Sequence, residues 1–81
     1  MASVTYYVVV PFNKDEEGNL VPSEAKEAPN GDRARRLAMS MAEKHAGAIA
    51  FSRAGDPDHG DFGDAQVIAV FGAVDVSALG G

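Results

Sequence analysis

A chain of 81 residues has room for one hydrophobic core, so the sequence predicts a single domain. Apolar residues make up 46% of the chain, which argues against wholesale disorder, and the formal net charge of −5 argues against binding to phosphate backbones. The chain contains no cysteine, so neither disulfides nor thiolate metal sites can stabilise it. Association with a second chain is a natural source of the missing stability.

The N-terminal part of the sequence predicts a cytoplasmic protein. The first four residues contain no basic residue and do not lead into a long apolar run, which is not the pattern of a signal peptide. The longest apolar run, residues 6–12, is too short to cross a bilayer. We therefore expect neither export nor contact with a membrane.

The first predicted elements are two strands. Residues 4–12 are rich in β-branched and aromatic residues, and Pro11 marks the end of that strand or an edge position. A polar turn over residues 13–19 follows. Residues 20–28 predict a weak edge strand, because Pro22 and the charged residues at 24, 26 and 27 suit the margin of a sheet.

The most regular pattern is an amphipathic helix after Asn30, the predicted N-cap. The residues that recur at helical spacing on its apolar face are Ala34, Leu37, Ala38, Met41, Ala42 and His45. Leu37 and Met41 are expected to point into the core. His45 is interpreted as a half-buried residue at the helix end, and Gly47 stands where a left-handed C-terminal cap belongs.

Two further strands, over residues 48–53 and 64–71, complete the predicted sheet. A turn-rich connection over residues 54–63 joins them, and residues 72–81 have no clear period and are interpreted as a flexible tail of the single domain over residues 1–81. The order β-β-α-β-β predicts an α+β fold in which one helix packs on a four-stranded, mainly antiparallel sheet.

Both faces of the first and last strands are apolar, whereas a sheet with one solvated face alternates apolar and polar residues. One short helix covers one face, so the other face needs its own cover. The candidate interface residues predicted to lie opposite the helix are Tyr7, Val9, Ile68 and Val70. A second copy of the chain is the predicted cover, and the alternative is the tail, through Val74, Val76 and Leu79.

The residues that could carry chemistry match no known site. Acidic residues and a histidine crowd one connection: Asp56, Asp58, His59, Asp61 and Asp64. Their spacing does not match a calcium loop, so a solvated turn is the simpler interpretation. Neither Ser40 nor Ser52 has a recognisable base, and the arginines at 33, 35 and 36 are expected to pair with nearby acids. We predict no catalytic, cofactor-binding or metal-binding residue and no nucleic-acid partner.

Two parts of the chain resemble known groups of proteins. Residues 44–53, Lys-His-Ala-Gly-Ala-Ile-Ala-Phe-Ser-Arg, with Gly-Asp-Pro at 55–57, resemble a segment of small uncharacterised proteins of alphaproteobacteria and their mobile elements. That resemblance implies a bacterial origin and no known function. The element order, the length and the pair Gly80 and Gly81 after Leu79 are similar to β-grasp sulfur-carrier and ubiquitin-like proteins. In those carriers the glycines follow the last strand closely, whereas residues 72–79 intervene here.

The function predicted from these observations is that of a small protein-interaction module that is not an enzyme and is homodimeric through a sheet face. One alternative is a ubiquitin-like or sulfur-carrier protein, which the resemblance implies would be activated at the glycine pair, with Gly80 and Gly81 as the candidate conjugation residues. Another is a small acidic inhibitor, of the type phages use, that occupies a basic groove on a host enzyme. The predicted partner is therefore the chain itself or another protein, and no cofactor is expected.

Overall fold

The computed structural model describes residues 4–56 and 60–75, with residues 61 and 62 described as backbone only. Within these residues the chain forms one helix and six strands. In chain order they are β1 (Val4–Lys14), β2 (Leu20–Pro22), β3 (Lys26–Ala28), α1 (Gly31–Ala42), β4 (Gly47–Asp56), β5 (Asp61–Phe62) and β6 (Gln66–Gly72). The described strands pair only antiparallel, and the helix packs on their sheet, which confirms the predicted α+β class.

The two long strands β1 and β4 form the centre of the sheet. They pair over nine positions, from Val4 opposite Gly55 to Phe12 opposite Gly47. β2 and β3 follow one another along the outer edge of β1, and β5 and β6 follow one another along the outer edge of β4. The sheet is therefore four strands wide, as predicted. On each outer edge, two short strands lie end to end where the sequence predicts one strand.

The helix begins where the sequence predicts and ends earlier. The Asn30 side chain accepts a hydrogen bond from the backbone N–H of Arg33 at 2.8 Å, which confirms the N-cap. The helix ends at Ala42 with Glu43 as its C-cap, so the prediction that Gly47 caps it is wrong. Gly47 instead opens β4. His45 lies past the helix end, half-buried, where its Nδ1–H donates to Asn13 Oδ1 at 2.7 Å.

Small side chains hold the helix against the sheet. Ala34 and Ala38 of α1 are fully buried, as are Ala48 and Ala50 of β4 beneath them. Because alanine side chains are short, the two layers can approach closely and exclude water from both surfaces. Leu37 and Met41 pack at the margin of this cluster and stay partly exposed.

The prediction that Tyr7 and Val9 lie opposite the helix is wrong. Val9 is fully buried in the helix-side cluster, and Tyr7 packs against the same cluster. The side chains on the two sides of β4 explain this placement. A helix can pack closely on the small side chains of Ala48 and Ala50, whereas the large side chains of Ile49 and Phe51 would hold it away from the other side. Since Val9 is paired with Ala50, it faces the helix with it.

A β-bulge changes the direction of Ile68, which was also predicted to lie opposite the helix. Phe51 pairs with Val67 and Ala50 pairs with Ala69, so Ile68 is an extra residue in β6. The extra residue shifts the alternation of side chains along the strand. Ile68 therefore packs in the helix-side cluster, whereas Val70 pairs with Ile49 and keeps its predicted place opposite the helix.

Replacing Leu37 with alanine is expected to lower the free energy of unfolding by about 1–3 kcal/mol, because a partly buried leucine loses part of its transfer free energy. Met39, 45% exposed on the same helix, is the control, and Met39→Ala should change stability by less than about 0.5 kcal/mol. Urea unfolding of the three proteins checks this. Equal losses for both variants would mean that Leu37 does not pack on the sheet.

Candidate interaction surface

The sheet surface away from α1 is apolar over most of its area, and we call it the open face. Its residues come from alternate positions of the three longest strands: Val4, Tyr6, Val8, Val10, Phe12, Ile49, Phe51, Arg53, Val67 and Val70. The cross-strand register places them in rows, such as Val10, Ile49 and Val70 across β1, β4 and β6. Because a solvated face normally carries polar residues at these positions, the open face is adapted to contact.

The centre of the open face is already covered within the chain. Phe12 is 1% exposed, Ile49 is fully buried and Phe51 is 9% exposed. Leu20 from β2, Ala65 and Val74 pack around these three side chains. Val74 therefore contributes to the cover, as in the alternative in which the tail packs on this face, whereas Val76 and Leu79 lie outside the described residues.

The margin of the open face on β6 is exposed, unlike its centre. Val67 is 53% exposed and Val70 is 45% exposed, and both lie on the same face of one strand. We call these two valines the β6 margin. Val8 and Val10 of β1 pack at the border of the buried centre and are half-buried. The β6 margin thus extends an apolar surface whose centre is buried.

A shallow cavity lies on the same face at the other end of β1 and β4. Tyr6, Val8, Phe51 and Arg53 line it, and its volume is about 290 Å³. This volume is near the lower limit of small-molecule sites, which run from about 300 Å³ upward. The lining offers apolar contact, one phenol and one guanidinium, and it contains no nucleophile beside a base. The cavity is therefore suited to contact and has no arrangement for covalent catalysis.

The other residues singled out in the sequence are placed apart from this surface. The three arginines at 33, 35 and 36 and Ser40 are exposed on α1, whereas Ser52 pairs with Tyr7 on the helix side of the sheet. Of the acidic connection, Asp58 and His59 lie outside the described residues. Among residues 4–56 and 60–75, no group of three His, Asp or Glu residues is arranged to hold a metal ion.

The predicted interface and conjugation residues have different outcomes. Of the four interface residues, Val70 alone lies on the open face, beside Val67, which the simple alternation of the last strand would assign to the other side. The glycine pair at 80 and 81 lies outside the described residues. The bulge that exposes Val67 leaves no mark in the residue pattern of β6, so the sequence offered no signal for it.

The part of the chain that the structure describes contains no helix with the length and apolarity needed to cross a membrane. Comparison of the chain with protein-family models, with curated proteins and with solved structures finds no match. The interpretation of the open face therefore depends on its own residues.

Proposed function

We propose that this chain is a small, cytoplasmic protein-interaction module without enzymatic activity, and that it forms a homodimer through the β6 margin of its sheet. The observation that supports the proposal is the exposure of Val67 and Val70, 53% and 45%, on one face of one strand. The two valines lie side by side next to the apolar centre of the open face, and exposed apolar side chains grouped in this way are a common feature of protein–protein contacts. A two-fold contact covers the same patch on both copies at once.

The free energy gained by burying these valines can be compared with the free energy that a stable dimer needs. Fully burying a valine contributes roughly 1.5–3 kcal/mol, so the four half-exposed valines of two copies contribute about 3–6 kcal/mol. A micromolar dissociation constant needs about 8 kcal/mol, after the cost of association has been met. The β6 margin alone is therefore too small, and a stable dimer needs further apolar contacts, such as Val10, or hydrogen bonds beside it.

Sedimentation equilibrium at micromolar concentration tests the proposal. The expected particle has twice the 8.4 kDa mass of the chain, and Val70→Lys is expected to weaken dimerisation at least tenfold, because it places a charge in an apolar contact. Val21 provides a matched control, since it is 44% exposed on β2 at the other edge of the sheet.

Val21→Lys should leave the dimer intact if the contact lies at β6. A particle of 8.4 kDa at every concentration would refute the dimer. A dimer that both lysine variants leave unchanged would place the contact elsewhere on the molecule.

A further inference from the structure

The two outer edges of the sheet differ in their protection against pairing with another strand. The edge formed by β2 and β3 is short and interrupted, and it carries Pro22, Glu24, Lys26 and Glu27. Proline and charged residues are the usual means by which edge strands avoid such pairing. This edge is therefore protected against pairing with a further strand.

The edge formed by β6 has no such protection. No charged residue and no proline occurs from Ala65 to Val74. The bulge at Ile68 disturbs the first part of β6, but residues 69–72 pair regularly with residues 47–50 of β4. Among the described residues, β6 pairs with β4 alone, so a regular, uncharged segment lies at the outer edge.

The backbone hydrogen bonds of β6 indicate which groups point outward. The N–H of Ala73 donates to the carbonyl of Ala46 at 3.0 Å, at the end of the β4–β6 ladder. Within the ladder, the carbonyl of Pro11 accepts from the N–H of Ser23 at 2.8 Å and so points away from β4, which means that Pro11 and Ala48 are not a hydrogen-bonded pair. Because such pairs alternate, Ala48 and Ala50 direct their N–H and C=O to β6, and their partners Phe71 and Ala69 direct theirs toward β4. The N–H and C=O of Val70, between them, point away from the sheet. Val70 therefore offers an outward donor and acceptor and an exposed apolar side chain together.

We propose that β6 pairs antiparallel with β6 of a second copy around a two-fold axis, so that the sheet continues across the dimer. The inference rests on the proposed homodimer and names its geometry. A second copy fits this edge because a two-fold axis brings the same uncharged edge of both copies together. Strand pairing also adds backbone hydrogen bonds to the contact of the valines, which alone is too weak for a stable dimer. The β6 margins of the two copies then meet on the open face as cross-strand neighbours.

Two substitutions at one position separate strand pairing from side-chain packing. Val70→Pro removes the outward N–H but keeps an apolar side chain, and it breaks no hydrogen bond to β4. Val70→Ala keeps the N–H and removes more of the apolar side chain. If β6 pairs with β6, the proline variant should dimerise at least tenfold more weakly than the alanine variant in sedimentation equilibrium. If side chains alone make the contact, the alanine variant should be the weaker one, and the strand pairing is refuted.

Amide hydrogen exchange of the unmodified protein decides the question if Val70→Pro does not fold. In a β6–β6 pair the amide of Val70 becomes protected as the concentration rises and the dimer forms. A dimer in which this amide exchanges as fast as in dilute solution refutes the strand pairing and leaves the proposed homodimer standing. A chain that stays monomeric at every concentration refutes both.

Discussion

Gly47→Ala is expected to lower the free energy of unfolding by about 3 kcal/mol or more, a large part of the roughly 4–12 kcal/mol available to a domain of this size. The α-carbon of Gly47 lies directly against the backbone of Ala73, and a Cβ there would overlap the nitrogen and the carbonyl of that residue. Backbone atoms cannot rotate away as the end of a side chain can. The variant must therefore separate β4 from the end of β6 and lose the hydrogen bond from Ala73 to Ala46.

Two other glycines show whether this close approach is the cause. Gly72 has a φ of +73° and a Cβ there would stand 2.6 Å from the carbonyl oxygen of Ala46, whereas Gly18 has a φ of +83° and nothing within 4 Å. Gly18→Ala should cost about 1–2 kcal/mol, because only the left-handed conformation is penalised. Gly72→Ala should cost more than that. Urea unfolding measures all three variants, and a Gly47→Ala loss no larger than that of Gly18→Ala would contradict the close crossing.

Truncation of Ile49 is expected to be the second large effect, with Ile49→Ala costing about 2–5 kcal/mol. Ile49 is fully buried in the centre of the open face, between Val10 and Val70 and among the side chains of Leu20, Ala65 and Val74. The alanine variant removes three heavy atoms and leaves a cavity. A loss of this size would show that the side of the sheet without a helix is part of the core, although its margin is exposed.

A graded series at the same position keeps this measurement interpretable. Ile49→Val removes one methyl group and should cost about 0.5–1.5 kcal/mol, so it should fold even if the alanine variant does not. Chemical denaturation monitored by circular dichroism gives both values. Losses below about 0.5 kcal/mol for both variants would mean that the centre of the open face is not covered by the chain.

Local signals in the sequence predicted the start of the helix well and its end poorly. Asn30 caps the helix through a contact with Arg33, three residues away, so the pattern of nearby residues contains the necessary information. Gly47 was interpreted by the same local reasoning as a helix cap, but the constraint on it comes from Ala73, which is distant in sequence. A glycine required for a turn and one required for a close backbone approach look the same in a sequence.

The alternation of apolar residues predicted two apolar faces on the sheet but not which of them the helix covers. That choice depends on side-chain size across neighbouring strands, where Ala48 and Ala50 admit the helix and Ile49 and Phe51 do not. The alanines of β4 were the available signal. For Ile68 there was none, because a bulge is decided by the pairing partner and leaves no trace in a single strand.

The pairing of β1 with β4 also sets how this chain must fold. Its contacts join residues that are far apart in sequence, from 35 residues for Phe12 and Gly47 to 51 residues for Val4 and Gly55. The entropy of closing so long a loop is lost before the central ladder forms, which slows folding relative to a helical bundle of the same length. α1 lies within that loop and makes its hydrogen bonds locally. The helix can therefore form transiently before the sheet, whereas the central ladder forms only when β1 and β4 meet.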